Sequence, residues 1–167
     1  MDATTAWLLD PVEPGVRAQV LIHLEERAAD DPLVKEAQRE SLIRGSIAVI
    51  LDGLAVPLDP SGLWMPKYSA PFHRLIALAD MCASSDDGRI TKVLEAYLKS
   101  FAKPDGGFGH RADSHLCVTG NMVRAATHFG RGDDPRVKRG VEWLLTHQRA
   151  DGGWNCFPED EPGSTLD

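Results

Sequence analysis

The chain has 167 residues, of which 43% are hydrophobic and 26% charged, and these proportions are typical of a soluble globular protein. Its formal net charge of −7 argues against a basic surface that neutralises nucleic-acid phosphates, so no nucleic-acid partner is expected. The N-terminus lacks the basic stretch of a secretory signal, and no apolar run approaches the roughly 20 residues that span a bilayer. These features predict a cytoplasmic protein without a transmembrane segment. The three cysteines are an odd number and do not predict a disulfide framework.

The first third of the chain predicts short helices separated by breaks. Residues 1–15 contain two prolines and a glycine and are expected to be irregular. From Val16 to Arg27, apolar side chains recur at helical spacing, which predicts an amphipathic helix. Asp31 followed by Pro32 has the residue types of an N-cap and a first helical position, so another helix is expected to begin there.

The middle of the chain contains the boundary between the N-terminal helices and a region of repeated units. One helix, or two helices broken near Gly45, is expected between Val34 and Leu54, and the three prolines between Ala55 and Tyr68 predict a loop. We therefore divide the chain into N-terminal helices, 1–54, and a region of repeats, 55–167, within a single domain.

Two apolar stripes of identical spacing indicate two copies of one helical unit. Each position of the second stripe lies 46 residues after the first. The stripes are Phe72, Ile76, Ala79, Ala83 and Val118, Met122, Ala125, Phe129. The helix that follows in each copy has a further apolar stripe, at an offset of 47 residues. These stripes are Ile90, Leu94, Leu98 and Val137, Val141, Leu145. The pattern predicts two helical hairpins.

An acidic pair precedes the second helix of each predicted hairpin. The pairs are Asp86-Asp87 and Asp133-Asp134. Aspartate-rich motifs bind Mg²⁺-diphosphate in prenyl synthases, but carboxylates also favour helix N-termini, and Gly88 and Pro135 stand at helix-start positions. We interpret both pairs as helix caps.

Each predicted unit ends in an Asp-Gly-Gly-aromatic turn. The complete copies are Asp105–Phe108 and Asp151–Trp154, and Asp59–Trp64 is a degraded copy. Glycine accepts a positive φ and aspartate bonds nearby backbone N–H groups, so the complete copies are expected to form equivalent loops. We expect Gly153 to need the positive φ in the last loop. The recurrence of helix, capped turn, helix and aromatic turn predicts an all-α fold.

These motifs resemble a known family. The segment Gln148–Trp154 is similar to the QW repeat of squalene–hopene and related terpene cyclases, and Ser114–Asn121 with Gly152–Cys156 resembles small bacterial squalene-cyclase-like proteins. The resemblance covers roughly Leu42 to Phe157. It implies an α/α toroid, the architecture shared by protein prenyltransferase β subunits, in which hairpins close into a ring around a cavity. About six hairpins close such a ring, and this chain, counting its N-terminal part, is expected to supply about three, which would make about half a ring.

The sequence departs from that family in two places. The upstream turn has Lys103-Pro104 before Asp105 and lacks the glutamine of the repeat. The Asp-x-Asp-Asp motif, with which class II terpene cyclases protonate an alkene, is absent from the sequence. The resemblance therefore implies a fold more specifically than it implies a reaction.

A polar stripe on the helix after Cys117 predicts one wall of a cavity. At 100° per residue, four side chains fall within a narrow arc: Cys117, Asn121, Arg124 and His128. One unit earlier the matching positions are mostly apolar: Pro71, Leu75, Leu78 and Cys82. If this face lines the toroid interior, Asn121, Arg124 and His128 are expected to bind substrate in an otherwise apolar pocket. The alternative is a solvent-facing stripe on an incomplete ring.

Cys117 and Cys156 are candidate metal ligands. Each follows a complete aromatic turn, and the resemblance implies zinc where inner helices begin: prenyltransferases use Asp, Cys and His there, and lanthionine cyclases use Cys, Cys and His. Asp113, His115 and Cys117 alternate in sequence and share one side if that stretch is extended. Zn²⁺ on Cys117 and Cys156 would then activate a thiol or water, with Asp113 and His115 as catalytic groups. The alternative is that both cysteines are ordinary core residues.

Three function classes remain open at this point. The first is a zinc-dependent enzyme that acts on an isoprenoid or thiol substrate, and we favour an enzyme of this kind with its reaction unassigned. The second is a toroid module that binds a lipid or peptide without chemistry, and the third is a non-catalytic fragment that oligomerises. An incomplete ring would leave Leu75, Leu78 and Cys82 facing water. Either two chains pair into a homodimer that completes the ring, or the N-terminal helices cover the gap, and we favour pairing.

Overall fold

The computed structural model describes residues 2–156, and within them the chain is all-α, as predicted. No strand forms in this part of the chain, and one isolated bridge joins Ala102 to Phe108. The helices are α1 Ala3–Leu8, α2 Pro14–His23, α3 Pro32–Ser41, α4 Gly45–Asp52, a 3-10 helix Pro60–Leu63, α5 Pro71–Asp80, α6 Gly88–Phe101, α7 Leu116–His128 and α8 Pro135–Thr146. Within residues 2–156, no helix has the length and apolar character needed to cross a membrane.

The N-terminal helices follow their local signals. Asp31 caps α3 by accepting a 2.8 Å bond from the Leu33 N–H, and α3 and α4 are separate helices that break before Gly45. Two expectations were wrong. Residues 1–15 contain α1, because the Asp2 carboxylate caps it through the backbone N–H groups of Thr4 and Thr5. The second helix ends at His23 instead of Arg27. The chain cannot continue as a helix to Arg27, because Glu26 has a positive φ of 51°.

Helices α5 to α8 form two hairpins that pack side by side. α6 packs on α5, α8 packs on α7, and α5 packs on α7. The predicted stripes of α5, α6 and α7 lie in one continuous core with Val137 of α8, Leu51 and Leu54, so α4 shares a core with the repeats. α2 and α3 form a smaller cluster of their own, which contains Ala18, Leu21 and Val34. Whether the hairpins curve into a toroid stays a prediction.

The two complete aromatic turns make the same hydrogen bonds. In the first, the Lys103 N–H donates to Gly107 O at 2.9 Å and the Gly106 N–H donates to Lys103 O at 3.1 Å. The second has the matching pair between Arg149 and the two glycines, both at 2.9 Å. In each turn the aspartate Oδ1 accepts from the second glycine N–H, at 3.1 Å and 3.2 Å. The prediction of equivalent loops is confirmed by this shared pattern.

The glycine that requires a positive φ was assigned wrongly. The first glycine of each turn has it, with φ of 103° at Gly106 and 89° at Gly152. Gly153 is not among the positive-φ residues of the described chain; it is buried, and its N–H bonds to Asp151. The strain argument therefore applies to Gly152. The degraded copy around Asp59 forms the 3-10 helix and does not adopt this turn.

Gly152→Ala isolates the energetic cost of that backbone conformation. No neighbouring atom lies within 4 Å of the position a Cβ would take, so only the positive φ opposes the methyl group. We expect a loss of about 1–2 kcal/mol in the free energy of unfolding, measured by urea denaturation. Gly88→Ala is the matched control, because its Cβ would also meet open space but its φ is not positive. Equal stabilities of the two variants would contradict the assignment.

The second aspartate of each acidic pair caps a helix, as predicted for the pairs. Asp87 accepts a 2.8 Å bond from the Arg89 N–H at the start of α6, and Asp134 accepts a 2.9 Å bond from the Arg136 N–H at the start of α8. The hydrogen-bonded guanidinium of Arg136 holds the pKa of Asp134 well below its usual range. Arg136 also bonds Glu95 on α6 at 3.0 Å, so this cap links the two hairpins. These contacts support a structural role for the pairs.

The N-terminal helices, and not empty space, lie against α5. Leu75 and Leu78 are fully buried, which contradicts the expectation that they would face water. α4 packs on α5, and Arg74 donates from Nη1 to the Ile50 carbonyl at 3.3 Å. Two ways to cover this face of α5 were expected, pairing of two chains or packing of the N-terminal helices, and the structure shows the second. The homodimer stays a prediction, without support from this surface.

The exposed end of the repeats lies on α8. Val141 and Leu145 match buried Leu94 and Leu98 of the first hairpin, but their side chains are 41% and 63% exposed. The stripe on α8 is therefore only partly buried, unlike the matching stripe on α6. The reason is that each hairpin covers the preceding one, and no further described hairpin follows α8.

Candidate functional site

A groove lies between the start of α7 and the end of α8. It encloses about 390 Å³, within the range of small-molecule sites. We call it the Cys117 groove, and its lining residues are Leu116, Cys117, Gly120, Asn121, Arg124, Leu144 and Trp154. Its walls are therefore mainly apolar, with a thiol, an amide and a guanidinium as polar groups. Three of the predicted site residues lie in this lining.

Local structure positions each wall of the groove. Trp154 is held by its indole Nε1–H, which donates to the Leu144 carbonyl at 2.9 Å. Gln148 donates from Nε2 to the Gly152 carbonyl, which fixes the turn that carries Trp154. Ala102 stands at the equivalent position of the first turn and has no side-chain amide for this bond. Gln148, the glutamine of the motif, therefore stabilises the second turn through a side-chain hydrogen bond that Ala102 cannot make in the first turn.

Cys117 and Cys156 come together at the edge of the groove. Their Sγ atoms are 3.3 Å apart, although 39 residues separate them in the chain. Burial, and then the contact with Cys156, raises the pKa of the Cys117 thiol to about 11. At neutral pH Cys117 is therefore a protonated thiol, which is a weak nucleophile. The predicted pairing of the two thiols is present, but the thiolate is not activated.

Arg124 and Asn121 provide the polar side of the groove. Arg124 forms a salt bridge with Asp80 at the end of α5, and both side chains are partly exposed to solvent. Asn121 donates from Nδ2 to the Cys117 carbonyl at 2.8 Å, which leaves its amide oxygen out of that bond. An anionic ligand could therefore bind the Arg124 guanidinium in competition with the exposed Asp80 carboxylate.

The other predicted site residues lie elsewhere. His128 is outside the lining of the groove, and its Nε2 donates to the Ala83 carbonyl at 3.0 Å, which joins the ends of α7 and α5. Asp113 lies on the exposed loop before α7. His115 is the N-cap residue of α7, and its ring stacks on His110, with ring centroids 5.3 Å apart. The predicted catalytic pair is therefore not part of the groove lining.

A cluster of aromatic and imidazole rings forms a second candidate site that the sequence did not predict. Trp64 stacks on His110 at 4.0 Å between ring centroids and contacts His73 at 5.3 Å. Burial lowers the pKa of both histidines, with Lys67 adding to the effect at His73 and His115 adding to it at His110. A groove of about 420 Å³, here called the Trp64 groove, lies beside Trp64 and His110. No periodicity indicates this cluster, because its rings come from separate loops and a helix start.

The described residues do not complete a zinc shell. A catalytic zinc needs three protein ligands and a structural zinc needs four. Within residues 2–156, no group of three or more His, Cys, Asp or Glu side chains could hold a metal ion. Cys117 and Cys156 supply two thiols, and Asp113 and His115 do not join them as such a group. Zinc stays a prediction, and no chemical step can be derived through it from these residues.

Comparison with known proteins does not identify a family. The chain matches no family model, no curated protein and no solved structure. The resemblance to squalene-cyclase-type toroids therefore stays a prediction that rests on the motif residues.

The Cys117 groove is the better candidate site on chemical grounds. A larger groove of about 460 Å³, at Ala29 and Asp86, is lined mostly by polar and charged side chains and has no aromatic wall. Ligand sites combine apolar walls with a few convergent polar groups, and the Cys117 groove has that composition. It also lies at the exposed end of the repeats, where a ligand can enter.

Proposed function

We propose that this chain is a toroid-type helical-repeat protein that binds an isoprenoid in the Cys117 groove. The single observation that carries the proposal is the composition of that groove. Leu116, Leu144 and Trp154 provide apolar surface for a prenyl chain, and Arg124 provides a cation for an anionic head group. The resemblance to terpene cyclases and prenyltransferases favours the same class of ligand.

Binding without chemistry is the function that the groove supports best. The Cys117 thiol has a raised pKa, and the predicted catalytic residues Asp113 and His115 are not in the lining. The acid motif of class II cyclases is also missing from the sequence. The chain is therefore proposed as an isoprenoid-binding module.

Isothermal titration calorimetry with farnesol and farnesyl diphosphate tests this proposal on reduced protein. Both probes are expected to bind, because both carry the prenyl chain. Arg124→Gln should lower the affinity for farnesyl diphosphate about tenfold, since an exposed ionic contact to a diphosphate contributes about 1.4 kcal/mol. The same substitution should leave the affinity for farnesol unchanged. Arg139→Gln is the matched control, because Arg139 is an exposed arginine of α8 outside the groove.

A second pair of variants tests the apolar wall. Leu144→Ala removes apolar surface from the groove and should lower the affinity for both probes by a similar factor, roughly fivefold to tenfold. Val141→Ala removes an exposed apolar side chain from the same helix outside the groove lining and should change neither affinity. The proposal fails if neither probe binds, or if Val141→Ala weakens binding as much as Leu144→Ala does.

A zinc-dependent enzyme is the second candidate, and the 3.3 Å approach of the two thiols favours it. This candidate predicts that reduced protein binds one zinc per chain, with the missing ligands supplied by residues outside 2–156 or by a partner. Cys117→Ser and Cys156→Ser should each abolish binding, because either removes one of the two close thiols. Cys82→Ser should not, since Cys82 lies near His23 and away from the pair. Elemental analysis after dialysis against zinc provides the measurement, and metal-free wild-type protein would exclude this candidate.

A further inference from the structure

The two thiols at the groove edge have a geometry suited to direct bonding. Cys117 lies in the first turn of α7, and Cys156 follows Trp154 by two residues. Their sulfur atoms are 3.3 Å apart, and a disulfide bond of about 2.05 Å requires an approach of roughly 1.2 Å. Both residues are partly exposed, so a small reagent can reach them.

Cys82 provides an internal contrast. Its Sγ lies 3.6 Å from His23 Nε2, in the turn that follows α5. It has a positive φ of 54° in the turn after that helix. Of the three cysteines in the sequence, only Cys117 and Cys156 are in contact with each other.

We propose that Cys117 and Cys156 form a reversible disulfide by exchange with a low-molecular-weight disulfide such as oxidised glutathione. One thiolate attacks a sulfur of the small disulfide and releases the first small thiol, which leaves a mixed disulfide on the protein. The second cysteine loses its proton, displaces the second small thiol and closes the Cys117–Cys156 bond. Two protein thiols are oxidised, one small disulfide is reduced to two small thiols, and atoms and electrons balance.

The geometry of the pair determines how the second step proceeds. Both cysteines are partly exposed, so either one can make the first attack, and the other then resolves the mixed disulfide. In the mixed disulfide the two cysteines are already adjacent, so the second step is intramolecular.

The bond would change both the turn and the groove. It ties the segment after Trp154 to the start of α7 and closes a loop across 39 positions of sequence. It also removes the Cys117 thiol from the groove lining and withdraws both thiols from any metal. The redox state of the surroundings would then control the site. The inference depends on the thiol pair alone and does not require that the groove bind an isoprenoid.

Thiol trapping tests the proposal on the full chain. Reduced, chelator-treated protein is equilibrated in glutathione buffers of increasing oxidised fraction, alkylated with iodoacetamide and mapped by mass spectrometry. We expect a Cys117–Cys156 cross-link that reduced glutathione reverses, while Cys82 remains alkylated in the same molecules. The proposal is overturned if glutathione adducts accumulate without a cross-link, or if Cys82 pairs with either of the other two.

Thermal unfolding gives an independent readout. Closing a loop of this length is expected to raise the melting temperature of the oxidised protein by roughly 10 °C. Cys82→Ser should show the same rise, and Cys117→Ser and Cys156→Ser should show none. If a serine variant does not fold in the reduced state, as judged by circular dichroism, the wild-type peptide map still decides. A cross-link with no change in melting temperature would contradict the proposed tie between the turn and α7.

Discussion

Gly109→Ala is expected to destabilise the protein strongly, because the added methyl group would meet backbone atoms. A Cβ at position 109 would overlap the backbone carbonyl oxygen of Asp113 and lie 3.0 Å from the carbonyl carbon. Backbone atoms cannot rotate away as a side chain can, so the loop before α7 must move. That movement would break the bond from the Gly109 N–H to the Phe101 carbonyl, which is 3.0 Å long.

The expected loss is about 3 kcal/mol or more in the free energy of unfolding, a large share of the 5–15 kcal/mol typical of a domain. Urea denaturation followed by circular dichroism measures it. Gly132→Ala is the control, because the nearest atom to its Cβ would be a Thr127 methyl carbon at 3.5 Å, an ordinary contact. We expect the control to change stability by less than about 0.5 kcal/mol. A Gly109→Ala variant as stable as the control would refute the close approach.

The second large effect concerns the aromatic residues that end the two turns. Phe108 is completely buried, and the Cβ of an alanine at Gly140 would lie 3.0 Å from its ring, which places Phe108 directly against α8. Trp154 ends the second turn, but it is only half-buried, because it lines the open groove. The same motif position thus has different burial in the two copies.

Phe108→Ala should therefore cost about 3–5 kcal/mol, the usual loss for a buried aromatic side chain. Trp154→Ala should cost no more than about half of that, although tryptophan is the larger residue, because much of its surface already contacts solvent. Chemical denaturation of both variants gives the comparison. A larger loss at Trp154 than at Phe108 would mean that the second turn is covered as completely as the first.

Local signals predicted most of the fold. The apolar stripes beginning at Phe72 and Val118 placed α5 and α7, and the aspartates before Gly88 and Pro135 placed the starts of α6 and α8. These features depend on spacing and on capping within a few residues, so a single sequence contains them. The equivalence of the two aromatic turns followed from the same kind of local chemistry.

Features that depend on tertiary packing were not predictable in this way. Leu75 and Leu78 are buried because α4 packs on α5, and nothing in their own helix specifies that partner. Gly152 and Gly153 are chemically identical, so only the path of the backbone decides which of them has the positive φ.

The candidate site was predicted in part. The resemblance to zinc-binding toroids indicated Cys117 and Cys156 as joint metal ligands, and their side chains do meet, while the metal itself stays a prediction. Sequence alternation also placed Asp113 and His115 beside Cys117, but His115 stands at the N-cap position of α7 and its ring stacks on His110 instead. The Trp64 and His110 contact joins two loops with no shared period, so no pattern in the sequence predicts it.

The four tryptophans allow a direct test of where a ligand binds. Trp154 lines the Cys117 groove, Trp64 lines the Trp64 groove, and Trp7 lines a third groove near the N-terminus. Trp143 lines none of these three, and its Nε1–H donates to Asp105 at 3.2 Å. Each groove therefore has its own indole N–H reporter, and Trp143 serves as the internal reference.

The measurement is a titration of ¹⁵N-labelled, reduced protein with farnesol, followed through the four indole N–H signals in ¹H–¹⁵N correlation spectra. Substitution of each tryptophan by phenylalanine assigns the signals. If the Cys117 groove is the isoprenoid site, the Trp154 signal shifts and saturates while those of Trp7, Trp64 and Trp143 stay in place. Saturating shifts at Trp64 or Trp7 with an unchanged Trp154 signal would contradict the proposed function.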